Sequence, residues 1–69
     1  MKSELIDRMR EALDAMDPVT RAVFERVRLD GRDYQQIAEE LRLTTHEVEQ
    51  RFADALLQIW RHLERTERP

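Results

Sequence analysis

The sequence predicts an all-α fold, a small domain of four helices joined by short connections. Apolar residues recur at helical i, i+3, i+4 spacing along four stretches, and Asp, Pro, Gly or Thr stand between these stretches. The 69 residues include no cysteine, and 41% of them are hydrophobic. This length and composition fit one domain, covering residues 1–69, that folds without disulfides.

The first two helices are expected over about residues 4–16 and 18–29. Ser3 is a suitable N-cap for the first helix, and Asp17 followed by Pro18 is a typical start for the second. Gly31 is expected to end the second helix, because glycine adopts the left-handed backbone conformation at low cost. The stripes predicted to be buried are Leu5, Ile6, Met9, Ala12, Leu13 and Met16 in the first helix and Val19, Ala22, Val23 and Val27 in the second, with Phe24 on the flank.

The third and fourth helices are expected over about residues 34–42 and 45–65. Asp33 with Gln36, and Thr44 with Glu47, have the spacing of capping boxes, in which two residues satisfy each other's backbone N–H groups. Only two or three residues separate these helices, which favours a steep helix-turn-helix crossing whose second helix can enter a major groove. The predicted core positions are Tyr34, Ile37, Ala38, Leu41, Val48, Phe52, Ala55, Leu56, Ile59 and Leu63.

Five stretches follow one another at characteristic spacing within residues 13–63: "LDAMDP", "AVFERV", "LDG", "YQQIAEEL" and "LTTHEVEQRFADAL". In this order and spacing they resemble region 4 of sigma-70 family factors, particularly those of the extracytoplasmic-function type, with "YQQIAEEL" as the positioning helix and "LTTHEVEQRFADAL" as the recognition helix. The resemblance implies a region-4-like helix-turn-helix with an extra N-terminal helix. It also implies double-stranded promoter DNA at the −35 element and the flap of the RNA polymerase β subunit as partners.

The resemblance assigns DNA-contacting roles to residues around the predicted corner. Arg32, Tyr34 and Arg42 are candidate contacts to the DNA backbone, and Thr44 caps a helix whose neighbouring N–H groups suit a phosphate. The base-reading positions that it implies are Thr45, His46, Glu47, Glu49, Gln50 and Arg51.

The sequence departs from the family pattern in the turn, where the third helix must end without a glycine, and in the charge of the recognition helix. The turn carries Arg42 where glycine is usual, and acidic Glu49 and Asp54 stand where the family often has basic residues. Residues 44–58 hold three carboxylates against the single cation of Arg51. Each carboxylate near a phosphate repels it, so this charge favours weak DNA binding or none.

Three side-chain roles are open on the sequence. Arg51 is equally suited to a guanine and to an i, i+4 pair with Glu47, while Glu47 fits a helix cap better than a base contact. Leu57 and Trp60 lie beside the core stripe of the fourth helix. Coverage of both by the first helix is the preferred interpretation, and an exposed patch for a partner or a second copy is the alternative.

Other functional classes find little support. The sequence has no Ser/His/Asp or Cys/His set and no Gly-rich phosphate loop, so we expect neither an enzyme nor a cofactor. His46 and His62 are expected at the surface rather than in a metal site. No apolar run is long enough to span a membrane, which makes the cytoplasm the expected location.

Two functions follow from these observations. The first is a transcriptional DNA-binding domain that reads a −35-type element together with RNA polymerase. The second is a protein-interaction module that keeps the fold but binds a sigma factor, an anti-sigma factor, the polymerase or a homodimer partner. The sequence shows no second sigma domain, so we expect a stand-alone protein, an excised domain or a relative put to another use.

Overall fold

The computed structural model describes the backbone of residues 4–67 and the side chains of residue 4 and residues 6–64. Four helices account for most of it, and no strand occurs within this range: α1 (Glu4–Ala15), α2 (Pro18–Arg28), α3 (Tyr34–Leu41) and α4 (Thr45–Glu67). The predicted all-α, four-helix fold is confirmed, with helix ends within two residues of those expected. The predicted Ser3 cap and the burial of the Leu5 side chain lie outside the described residues.

Local sequence signals set the helix boundaries. Asp17 is the N-cap of α2, with Pro18 in the first turn, and Asp33 and Gln36 form the predicted capping box of α3. After α2, Gly31 has a left-handed φ of 67°, which lets the chain turn away from the helix. A glycine is suited to that position because it has no Cβ to clash with the backbone.

The long helix α4 packs against the other three helices through two hydrophobic clusters. The corner cluster consists of Val23, Ile37, Ala38 and Val48, and it joins α2 and α3 to the first half of α4. The α1 cluster consists of Ala12, Met16, Phe24, Ala55 and Ile59, and it joins α1 and α2 to the second half. Phe52 packs against both clusters, and its ring centroid lies 6.1 Å from that of Phe24.

The buried stripe of α2 is displaced from the predicted one. Its inward positions are Thr20, Val23, Phe24 and Val27, so Val19 is exposed and Phe24 is buried rather than flanking. The spacing is still helical, but its first member is a threonine, which a search for apolar residues passes over. Thr20 tolerates burial because its hydroxyl is hydrogen-bonded.

Two further predictions of burial are wrong. Ile6 of α1 and Leu56 of α4 are exposed, although both were expected in core stripes. The core side of α4 runs through Ala55 and Ile59, and α1 packs on that side. Leu56 lies about 100° further round the helix from Ala55, beyond the area that α1 covers.

Candidate nucleic-acid interface

A three-residue corner joins α3 to α4 and fixes the angle of the exposed helix face. Arg42 adopts the left-handed conformation (φ 59°, ψ 45°), and the N–H of Leu43 donates to the carbonyl of Ala38 at 2.9 Å. This is the hydrogen-bonding arrangement of a helix C-terminus that usually carries glycine. The chain therefore makes the turn expected of the family with a residue that adopts the required conformation at a cost.

The first turn of α4 is stabilised by the predicted capping box. The N–H of Thr44 donates to Glu47 Oε1 at 2.8 Å, and the N–H of Glu47 donates to Thr44 Oγ1 at 3.0 Å. The hydrogen bonds from Thr44, with a smaller effect of Arg51, hold the pKa of Glu47 below its usual value. Glu47 is thus committed to the cap, and two of the N–H groups near the helix start are already in use.

The face of α4 beyond this cap is open to solvent. Thr45, His46, Glu49 and Gln50 are exposed together with the cap residues Thr44 and Glu47, whereas Val48 beneath them is fully buried in the corner cluster. Because Val48 anchors the helix, the six polar side chains have a fixed backbone. The corner brings together the base-reading positions that the resemblance implies, apart from Arg51.

Arg51 points toward the start of α2. Its Nη1 lies 3.3 Å from Thr20 Oγ1 and 3.5 Å from Asp17 Oδ2, in place of the i, i+4 pair with Glu47 that the sequence also allowed. The Thr20 hydroxyl donates to Asp17 Oδ1 at 2.8 Å, and the Thr20 N–H donates to Asp17 Oδ2 at 3.1 Å. These two hydrogen bonds, and then the charge of Arg51, lower the pKa of Asp17.

Sequence reasoning missed this contact between Arg51, Asp17 and Thr20. One signal was present, because Asp17 and Thr20 have the i, i+3 spacing of an N-cap and its third helical residue. Thr20 and Arg51 are 31 positions apart in sequence, and nothing local in the sequence indicates that the two side chains meet.

The three candidate DNA-backbone contacts differ in how accessible they are. The Arg32 guanidinium pairs with Glu40, which also binds Arg26 Nε at 2.9 Å. Tyr34 is half-buried, with its ring centroid 6.3 Å from that of Phe52. Arg42 is exposed beside the start of α4.

The second half of α4 has a different surface. Leu56, Leu57 and Trp60 are 45%, 46% and 63% exposed, and Ala53 is exposed one turn before Leu57. The preferred prediction that the first helix covers Leu57 and Trp60 is therefore wrong. The apolar core side of α1 packs instead against Ala55, Ile59 and Leu63, and Glu11 of α1 approaches His62 Nε2 at 3.0 Å.

The described residues contain no group of three or more histidine, cysteine, aspartate or glutamate side chains that would hold a metal ion. In the same part of the chain, no helix is both long and apolar enough to cross a membrane.

A three-residue connection between a short helix and a longer one with an exposed polar face is typical of a helix-turn-helix domain. The family described as Sigma-70, region 4 matches residues 6–59, more than three quarters of the chain. The protein therefore belongs to the sigma-70 region 4 family. No curated protein and no solved structure matches the chain. Domains of this family serve transcription as DNA- and polymerase-binding units, and the family is not one of enzymes.

Proposed function

We propose that this domain places the first half of α4 in the major groove of a −35-type promoter element, alongside RNA polymerase in the cytoplasm. The observation that carries the proposal is the exposed polar face of the corner. Its side chains from Thr44 to Gln50 stand on a helix anchored by the fully buried Val48. A helix presented in this way is what a major groove accepts.

The charge of the exposed face of α4 determines how strongly the domain binds DNA. Glu47 and Glu49 are exposed in the first turns of α4, while the cation of Arg51 is held at the start of α2. Phosphate neutralisation supplies most of the affinity of a DNA-binding protein, so the isolated domain binds weakly. A simultaneous contact with polymerase compensates, because it raises the effective concentration of the domain at the promoter.

Fluorescence anisotropy of labelled duplexes tests the proposal. A −35-like duplex and a scrambled duplex are titrated with the protein at roughly 50 and 200 mM salt, with and without RNA polymerase. We expect weak binding that falls steeply with salt, and a preference for the −35-like duplex when polymerase is present.

A matched pair of variants locates the contact. Gln50→Ala removes an amide that is suited to an adenine, and we expect it to reduce the preference for the −35-like duplex. Gln35→Ala makes the same change on the exposed side of α3, outside the groove-facing helix. Equal effects of the two variants, or no binding by the wild type even with polymerase, would contradict the proposed groove contact.

A second candidate function is supported by the exposed apolar side chains of α4. Leu56, Leu57 and Trp60 project from one side of the helix, and large exposed apolar groups mark protein-binding surfaces. In this alternative, a sigma factor, an anti-sigma factor, the polymerase or a second copy binds there, and α4 does not enter DNA. Trp60→Ala would then abolish partner binding or self-association measured by sedimentation, with little dependence on salt. Unchanged association in this variant would contradict the alternative.

A further inference from the structure

The only cation in the first three turns of α4 is engaged within the domain. Arg51 is the side chain best suited in chemistry to a phosphate or a guanine. Its Nη1 contacts Asp17 and Thr20 at 3.5 and 3.3 Å, while the side chains of Arg51 and Asp17 both remain partly open to solvent. The contact is therefore reachable by a competing anion.

The acceptor side of this contact has a fixed geometry. Thr20 is only 1% exposed, and its hydroxyl and backbone N–H hold both oxygens of the Asp17 carboxylate. Asp17 is also the N-cap of α2, so its backbone position is set by the helix start. A carboxylate restrained in this way presents one oxygen to α4 without any rearrangement.

We propose that Asp17 lowers the affinity of the domain for DNA, because its carboxylate competes with DNA for the guanidinium of Arg51. This inference rests on the proposed function, because the competition matters only if α4 approaches DNA. Binding of a phosphate or a base through Nη1, or any movement of the guanidinium away from α2, requires the contact between Arg51 and Asp17 to break. Asp17 also adds a negative charge beside the approaching duplex, which opposes the same step.

Asp17→Asn tests the competition with little disturbance of the fold, because asparagine caps helices as well as aspartate does. Binding to the −35-like duplex is measured by anisotropy at several salt concentrations. We expect Asp17→Asn to bind about two- to five-fold more tightly than the wild type at low salt, as expected from the loss of one exposed ion pair. The slope of log K against log salt should steepen by up to about 0.9, the value for one additional phosphate contact.

Two controls separate this effect from net charge and from stability. Asp7→Asn makes the same charge change in the first turn of α1, and it should tighten binding less and leave the salt slope unchanged. In an Arg51→Ala background, Asp17→Asn should give only the small gain expected from the loss of one negative charge, which completes a double-mutant cycle. Circular dichroism confirms that each variant is folded under the binding conditions.

The outcomes distinguish this inference from the proposed function. If the wild type binds DNA and Asp17→Asn behaves like Asp7→Asn, the competition is refuted while the DNA contact stands. If Asp17→Asn gives the same gain with and without Arg51, the competition is refuted equally. If no variant binds DNA, with or without polymerase, the proposed function and this inference both fail.

Discussion

The two halves of α4 belong to one unbroken helix but present opposite kinds of surface. The first half is polar and acidic outside and rests on the corner cluster of α2 and α3, whereas the second half exposes Leu57 and Trp60 and rests on α1. The buried sides are similar in chemistry, so the difference lies in what each half leaves to solvent. Packing thus determines where α4 lies, and the exposed residues determine which partner each half suits.

The largest expected difference between the two halves is in stability, and a substitution in the corner cluster tests it. Ile37→Ala removes a fully buried side chain beneath the first half of α4, and we expect it to lower the free energy of unfolding by about 2–4 kcal/mol. Trp60→Ala removes a larger side chain from the exposed surface of the second half, and we expect a change within about 0.5 kcal/mol. Chemical denaturation followed by circular dichroism measures both, and similar losses would show that Trp60 is buried in solution.

Charge reversal tests whether the two ends of α4 differ in how strongly their surface charge affects DNA affinity. Glu49→Lys with Asp54→Lys converts two exposed carboxylates of α4 to cations, and we expect DNA affinity at low salt to rise at least about ten-fold. The salt slope should steepen by about 0.9 for each lysine that meets a phosphate. Glu64→Lys makes the same kind of change near the other end of the helix and should have a much smaller effect. Equal gains per lysine at the two ends would indicate that only net charge matters.

A smaller effect on stability is expected at Arg42, in the connection that precedes the first half of α4. Arg42→Gly removes the steric cost of the left-handed conformation, and we expect the free energy of unfolding to rise by about 0.5–1 kcal/mol. Arg42→Ala keeps a Cβ at φ 59° and should give no such gain. Thermal and urea denaturation measure both variants. A stabilising alanine would mean that the arginine side chain, rather than the backbone conformation, is unfavourable.

The smallest expected effect is on the pH dependence of stability, and it arises from the capping box at the start of α4. Because the folded pKa of Glu47 is depressed, its contribution to stability is present above the unfolded pKa and is lost as pH falls through the folded value. The wild type should therefore lose this contribution on acidification below about pH 4.5. Glu47→Gln, which keeps a hydrogen-bonding group but does not titrate, should show a shallower decline. Parallel acid denaturation curves for the two proteins would contradict this assignment.

The fold was predictable from sequence because its signals are local. Capping residues, Pro18, Gly31 and helical apolar spacing lie within a few positions of the boundaries that they set. The side-chain environment was harder to predict, since it depends on contacts between residues far apart in sequence. Arg51 meets Thr20 across 31 positions, and the exposure of Trp60 depends on the side of α4 on which α1 lies. Helical periodicity indicates an apolar stripe but does not state its width.

Phe52 limits how far the two halves of α4 can be separated. Its ring packs between Phe24 and Tyr34 and contacts both clusters, so the cores beneath the two surfaces share this side chain. A peptide consisting of α3 and the first half of α4 would lack Val23 and Phe24 and expose Phe52 to water. The polar face of the corner consequently depends on α2. A graft of this face onto another protein has to include α2 and the packing that α2 provides.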